Sequence, residues 1–379
     1  MLIERRLIKN FDFTLLVITV LIVVFGLVIL SSATHATMAR GDDPYAFVKK
    51  QGLSFFLGLV AIALLLKIDY SWFTKYAKLI YGVNILLLLA VKVIGQEQHG
   101  AQSWISIGSF NLQPSEFAKI AMVITFAVYL AGREGKLSRF RDLIPTFVFF
   151  GLPMGLIIMQ PDLGTALVFI GIYFGMLFVA GARPTHLIIL ILTGALLVGG
   201  ILTAQLAFGL EKPLKPYQLD RLTIFTDPYK DPRGAGYHVI QSLVSLGSGG
   251  LWGKGLYQGT QTRLNFLPEQ KNDFIFSVVG EELGFLGVSA LLLLFYLFVY
   301  RGIVIAMRSK DMLGALLATG IVSIIVFHLL VNVGMAAGIM PITGIPLPFF
   351  SYGGSSMLAN MLGVGILLNV YMRRQVLTF

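Results

Sequence analysis

The chain reads as an all-α polytopic membrane protein of about ten transmembrane helices, on three observations. Of its 379 residues 56% are hydrophobic, and only 13% are charged, too few to coat a water-facing surface. The apolar residues gather into runs near the ~20 residues that a bilayer crossing needs. The charged residues fall mostly between those runs, and the cations gather in every second connection.

The runs lie at roughly 12–33, 52–67, 74–94, 117–132, 143–160, 163–181, 185–208, 274–300, 312–337 and 353–371. The start, Met1-Leu-Ile-Glu-Arg-Arg-Leu-Ile-Lys9, enters the first run with no small-residue cleavage site after it, so it reads as a retained helix. An even number of crossings puts both termini on one side. Arg5, Arg6 and Lys9 precede the first run; Lys67, Lys75 and Lys78 follow the second. Arg133, Lys136, Arg139 and Arg141 follow the fourth, and Arg183 the sixth. Arg301, Arg308 and Lys310 follow the eighth, and Arg373 and Arg374 close the chain. By the positive-inside rule that side is the cytoplasm. The long segment 209–273, between helices seven and eight, then faces outward as part of a single domain, 1–379. In it Val239, Ile240, Leu243, Val244 and Leu246 recur at helical spacing, with Gln241, Ser242 and Ser245 opposite, and Gly247 ends the run. That pattern fits an amphipathic helix on the membrane surface or a buried loop helix equally well.

Several function classes fall away at once. The net charge of +10 is spread between spans rather than gathered on one face, which argues against nucleic acid. Cys is absent, removing disulfides, thiolate nucleophiles and Cys-ligated zinc. Gly247-Ser-Gly-Gly-Leu-Trp-Gly-Lys-Gly255 fails the phosphate-loop spacing and reads as a flexible connector.

The residues that could do chemistry are acids at the outer boundary. Charge near hydrocarbon is expensive, so it is rare unless paired or functional. Asp273 stands where the outer loop enters helix eight, in Phe266-Leu-Pro-Glu-Gln-Lys-Asn-Asp273-Phe-Ile-Phe; a plain helix cap is the bland alternative. Glu116 and Lys119, in Gln113-Pro-Ser-Glu-Phe-Ala-Lys119, lie three apart on one helix face, as a self-satisfied ion pair or a site. Asp162, in Gln160-Pro-Asp-Leu-Gly-Thr165, occupies a tight outer connection where turn chemistry is the ordinary role. Glu281 and Glu282 lie inside helix eight and imply partners within the bundle. The three outer acids come from three helices and could converge, with Lys119, on one outward cavity.

These motifs, taken with Gly100-Ala-Gln, Asp231-Pro-Arg-Gly-Ala-Gly-Tyr-His-Val-Ile-Gln-Ser242, Gly280-Glu-Glu-Leu-Gly284 and Pro346-Leu-Pro-Phe-Phe-Ser-Tyr-Gly-Gly-Ser-Ser356, resemble the SEDS family (shape, elongation, division and sporulation) of peptidoglycan glycosyltransferases. The likeness runs from the first helix to the C-terminus. The run Lys254-Gly-Leu-Tyr-Gln-Gly-Thr-Gln261 and the short N-terminal tail resemble the elongation branch rather than the division branch. Lys271-Asn272 stands where the family commonly has His-Thr, and Ser103 where many members carry Arg.

The resemblance implies polymerisation of lipid II, a disaccharide-pentapeptide on undecaprenyl diphosphate, at the outer face of the bacterial cytoplasmic membrane. It makes Asp273 the candidate general base of an inverting transfer. Lys119, positioned by Glu116, would orient that base or meet diphosphate, Asp162 would line the cavity, and Lys49, Lys50 and Arg221 are further diphosphate candidates. It implies as partners the growing glycan on its lipid and a class B penicillin-binding protein, the crosslinking transpeptidase. No cofactor is required by the pattern; a divalent cation, magnesium or manganese, is a candidate aid at diphosphate without a dedicated ligand set. A lipid-linked-sugar flippase or transporter, and a non-enzymatic scaffold of the cell-wall machinery, are the rival expectations.

Overall fold

The computed structural model describes residues 9–35, 43, 45–98, 101–107, 110–160, 162–208, 224–225, 227–232 and 234–374. Each of the ten apolar runs is a helix: α1 (Phe13–Thr34), α2 (Ala46–Leu65), α3 (Trp72–Ile94), α4 (Pro114–Ala131), α5 (Ile144–Ile158), α6 (Leu163–Val179) and α7 (Pro184–Phe208). After α8 (Ala235–Ser248) in the long loop that follows α7 come α9 (Ile275–Met307), α10 (Met312–Ala336) and α11 (Gly354–Met372). Among the described residues nine of these are long and apolar enough to cross a bilayer, and α6 is a shorter apolar helix of the same kind. Large apolar side chains face outward along them, as at Val93, Val148 and Leu196, the arrangement expected where lipid replaces water.

Local chemistry sets several helix starts. Asp12, Asp162 and Asp311 each accept the backbone N–H three residues on, capping α1, α6 and α10. Pro114 opens α4, where its missing N–H costs nothing. One addition to the all-helical expectation is a small antiparallel meander between α3 and α4. Its strands are β1 (Gln96–Gln98), β2 (Ala101–Ile107) and β3 (Phe110–Leu112), paired in the order β1-β2-β3.

The bundle is built around α4, α10 and α11, the most buried spans. α10 packs on α4, α6 and α9; α11 packs on α2, and α9 on α1. α7 is the reverse case, almost wholly exposed at the edge. The three central helices also carry the buried polar side chains Glu116, Lys119, His328, Asn332, Ser355, Ser356 and Asn360. On the opposite side, Arg301 pairs with Asp12 at 2.5 Å and Arg373 with Asp69 at 3.3 Å, tying α9 to α1 and α11 to the α2–α3 turn.

α8 buries its serines along with Val239, and leaves part of its apolar face outside. Ser242 and Ser245 are buried, whereas Leu243 and Val244 are exposed. The Ser242 hydroxyl meets Ser277 at 2.7 Å and donates to the Ala336 carbonyl at 2.8 Å. Small hydroxyl residues let two backbones approach closely and satisfy each other, leaving the larger apolar residues for the outside.

The segment 247–255 is not a loose connector. α9 breaks at Gly284 (φ 62°, ψ −160°), and the glycine loop fills the break. Lys254 and Gly255 donate N–H to the carbonyls of Glu281 and Glu282, at 3.0 and 2.9 Å. Phe285 and Leu286 donate back to Gly250 and Leu251, at 2.8 and 3.2 Å. A Cβ at Gly253 or Gly284 would overlap the opposite main chain. Below the break the Glu281 carboxylate, fully buried, accepts from Lys254 Nζ (2.7 Å), Thr260 Oγ1 (3.1 Å), the Gln261 N–H (2.9 Å) and Thr262 Oγ1 (3.1 Å). Glu282 accepts from Ser32 Oγ of α1 at 2.6 Å. Glu281 therefore clamps the long loop to α9, and Glu282 ties α9 to α1.

Gly284→Ala should lower the detergent melting midpoint, since a side chain in that backbone region costs ~1–3 kcal/mol before any overlap. Gly194→Ala, where a Cβ would meet nothing within 4 Å, should leave it unchanged. Parallel thermal melts of the two variants test the assignment.

Candidate functional site

Asp273 ends the long loop two residues before α9, whose N-cap is Phe274, and its main chain is held by several partners. The Asn332 side-chain amide of α10 donates to the Asp273 carbonyl at 2.8 Å and to the Ile345 carbonyl at 2.8 Å. The Ser351 hydroxyl donates to the Asn272 carbonyl at 2.6 Å and accepts the Leu347 N–H at 2.8 Å. Tyr352 donates its N–H to the Lys271 carbonyl at 2.9 Å. These bonds weld the loop carrying Asp273 to the strap 341–353 between α10 and α11. A buried main chain in this setting must find partners in the protein, and the strap supplies them.

The strap approaches the Asp273 carboxylate at Gly344. Its φ is +72°, and a Cβ there would lie 3.5 Å from Asp273 Oδ2. Glycine thus provides the left-handed turn and leaves the space beside the carboxylate open. The start of α6 presses on the same strap, because a Cβ at Gly164 would meet the Thr343 carbonyl and Ile345. Asp162, two residues earlier, is half-buried and caps α6 through the Thr165 N–H (2.9 Å) and hydroxyl (2.7 Å). Ser115, at the start of α4, reaches it at 3.4 Å. The starts of α4, α6 and α9 accordingly meet around one strap.

Glu116 and Lys119 are paired at 2.8 Å, each about 2% exposed. Lys119 also contacts His328 Nε2 of α10 at 2.7 Å. An ammonium only donates, so Nε2 is the acceptor and the proton sits on Nδ1. That nitrogen donates to the Pro346 carbonyl at 3.1 Å. Glu116 Oε2 has no hydrogen-bond partner within bonding distance, though the Ser356 hydroxyl stands close enough to act on the carboxylate. Lys119, expected near Asp273 or diphosphate, is thus covered and bound to Glu116 and His328.

The N-terminal end of α2 forms a further wall. Gln51 donates to the Ser351 carbonyl at 2.9 Å and accepts the Gly353 N–H at 3.1 Å. Phe47 packs edge-on against Tyr352 and carries the Lys271 ammonium 4.1 Å over its ring. Lys49 and Lys50 are exposed one turn along; Lys49 pairs with Asp43 at 2.8 Å, which lowers the Asp43 pKa. Arg221 lies outside the described residues.

Sequence reasoning missed His328, Asn332, Gln51 and Lys271. Three of them are polar residues in or next to apolar helices, the one signal that could have marked them. Lys271 had been noticed only as a departure from a family pattern.

Among the described residues ten apolar helices pack as one bundle, with the starts of α6 and α9 and the C-terminal half of α10 meeting at the strap 341–353, which defines a polytopic all-α membrane protein. The family model described as cell cycle protein, FtsW/RodA/SpoVE, matches residues 13–376, and the chain belongs to this family, the SEDS family. It is 39% identical over 364 residues to stage V sporulation protein E of Bacillus subtilis, covering 95% of this chain and 96% of that protein. It is 36% identical over 369 residues to the peptidoglycan glycosyltransferase MrdB of Escherichia coli, covering 97% and 95%. A chain from a solved structure, described as a peptidoglycan synthase complex that coordinates polymerization and crosslinking, superposes with a TM-score of 0.79. Its identity is 34%, with 96% of this chain and 98% of that chain covered.

Removing one partner from the buried Glu116–Lys119 pair should cost about 3–5 kcal/mol, because the other charge is left uncompensated. Lys119→Met should therefore unfold far more readily than Glu116→Gln/Lys119→Met. A double-mutant cycle of melting midpoints checks this; additive losses would deny the coupling.

Proposed function

We infer that this chain is a peptidoglycan glycosyltransferase that polymerises lipid II during cell elongation, at the outer face of the bacterial cytoplasmic membrane, with both termini cytoplasmic. The observation that carries the reading is Asp273. It is a half-buried carboxylate whose main chain is fixed by Asn332 and whose side chain faces a glycine, in a chain whose relatives include a named peptidoglycan glycosyltransferase. The elongation assignment rests on the Lys254–Gln261 run.

In this reading the acceptor sugar hydroxyl attacks the anomeric carbon of the donor chain. The new C–O bond forms as the bond from carbon to diphosphate oxygen breaks, and Asp273 takes the hydroxyl proton. One displacement inverts the anomeric centre, turning an α-linked diphosphate into a β-glycosidic link. The departing lipid diphosphate carries the negative charge, so cations must stand near it. Lys271, in the Asp273 loop, and Lys50, exposed beside Gln51 at the start of α2, are the accessible candidates, with Lys49 and Arg221 as further candidates from the sequence. Lys119 and Glu116 act from beneath as a fixed charge pair, and Asp162 holds the start of α6 against the strap. Among the described residues no three His, Cys, Asp or Glu side chains gather as a metal site. A magnesium or manganese ion would therefore come with the diphosphate, and no step here runs through one. A class B penicillin-binding protein is the expected partner, since the superposed chain belongs to a complex joining polymerization to crosslinking.

Asp273→Asn keeps the shape and removes the base, so it should lose about 10²–10⁴-fold in glycan formation from lipid II, while melting like the parent. Equal polymer from both would defeat the assignment and favour a scaffold. Translocation of lipid II without polymer would favour a flippase. The orientation is testable because the chain has no cysteine: Trp252→Cys should react with an impermeant maleimide in intact cells, and Arg183→Cys only after lysis.

A further inference from the structure

Two side chains of α10 stand one helical turn apart and each reaches toward a different half of the site. His328 and Asn332 are fully buried, yet neither is a packing residue by type. Asn332 uses one nitrogen for two carbonyls, Asp273 and Ile345, both at 2.8 Å. His328 accepts from Lys119 at 2.7 Å and donates to Pro346, the residue after Ile345, at 3.1 Å. The adjacent carbonyls Ile345 and Pro346 are thus grasped by side chains at i and i+4 of the same helix. This spacing matches neighbouring positions on one helix face.

We propose that His328 and Asn332 are positioning residues of the transferase site, acting as one unit with the Ile345–Pro346 step of the strap. The proposal rests on the glycosyl-transfer reading for its kinetic consequences and on geometry for the rest. Asn332 fixes the height of Asp273 through its carbonyl. Gly344, one residue before Ile345, lies beside the Asp273 carboxylate, so a strap shifted at Ile345 moves the wall against that carboxylate. His328 holds the strap at Pro346 and, as a neutral acceptor, keeps the Lys119 ammonium on Glu116. A movement at either end is therefore felt at the other. Neither residue meets the reacting atoms; both act through Asp273, the strap and Lys119.

The role predicts a particular pattern of substitutions. Asn332→Asp is isosteric but trades the donating amide for an acceptor facing two carbonyls. His328→Leu removes donor and acceptor together. His328→Gln can restore both, with its oxygen toward Lys119 and its amide toward Pro346. Because small displacements of a catalytic group cost on the order of 10²-fold, Asn332→Asp and His328→Leu should lose kcat by about that factor. KM for lipid II should stay within about twofold of wild type, and His328→Gln should recover at least about tenfold of the loss.

Full-length protein with its transpeptidase partner, assayed for glycan formation from lipid II, reads these parameters. Two activity-independent measurements accompany it. Nitrogen-15 histidine spectra should show His328 as the neutral Nδ1–H form, with the Nε2 signal displaced by Lys119→Met. Hydrogen exchange of peptide 266–274 should accelerate in Asn332→Asp and stay near wild type in His328→Gln. Loss confined to KM, or a His328→Gln variant as inactive as His328→Leu, would overturn the proposal. So would an Nε2–H tautomer, or unchanged exchange in Asn332→Asp. If wild type itself makes no polymer, the glycosyl-transfer reading fails, and the spectra and exchange rates still decide whether the two residues hold the strap.

Discussion

Hydrocarbon offers no water to a stranded carbonyl or charge, and the whole arrangement follows from having to satisfy such groups inside the protein. The strap 341–353 is irregular main chain between two of the most buried helices, and the loop ending in Asp273 is another irregular stretch beside it. Neither could stand alone at that depth. They satisfy one another through Ser351 and Tyr352, and the surplus is taken up by Asn332 and Gln51. A site made this way is rigid because its polar groups have nowhere else to go.

The same constraint explains the broken helix. Interrupting α9 at Gly284 frees carbonyls and N–H groups that the helix would have paired internally. The glycine loop 249–255 returns partners to them from across the gap, and only glycines let the two main chains come so close. Glu281 and Glu282 then anchor the loop by its own N–H groups, hydroxyls and Lys254. The segment from α8 to α9 is held to the bundle as a result, and Asp273 is delivered from its far end to a fixed place.

Charge is treated by the same logic in two grades. Lys119 and Glu116, deep in the bundle, neutralise each other and lean on a neutral imidazole. Lys50 and Lys271 stay toward the rim, one exposed and one half-buried over an aromatic ring. Within the bundle a charge must find its partner in the protein, whereas at the rim an aromatic face or solvent is enough.

Much of this was written plainly in the chain. Apolar run length located all ten helices, because spanning a bilayer demands a minimum stretch whatever the packing. Most ends agree to within three residues, though α2 begins six residues before its run and α9 ends seven after. The acids at 116, 162 and 273 stood out because charge beside hydrocarbon needs a reason. Asp162 reads as turn chemistry from its Pro-Asp-Leu-Gly setting, and the fold makes it the cap of α6; the N-cap position of α9 falls to Phe274, not Asp273. Local pattern could not say that Gly247–Gly255 closes a helix break, since the partners lie some thirty residues along in α9. Nor could it show that α8 buries its serines, because in a membrane the large apolar face is as content outside as in. His328 and Asn332 looked like isolated polar residues until folding set them against Lys119, Asp273 and the strap. Composition and periodicity determined the spans and marked the costly charges. Only the tertiary structure decided which of those charges and carbonyls satisfy one another, because hydrogen-bond partners far apart in the chain are chosen by packing.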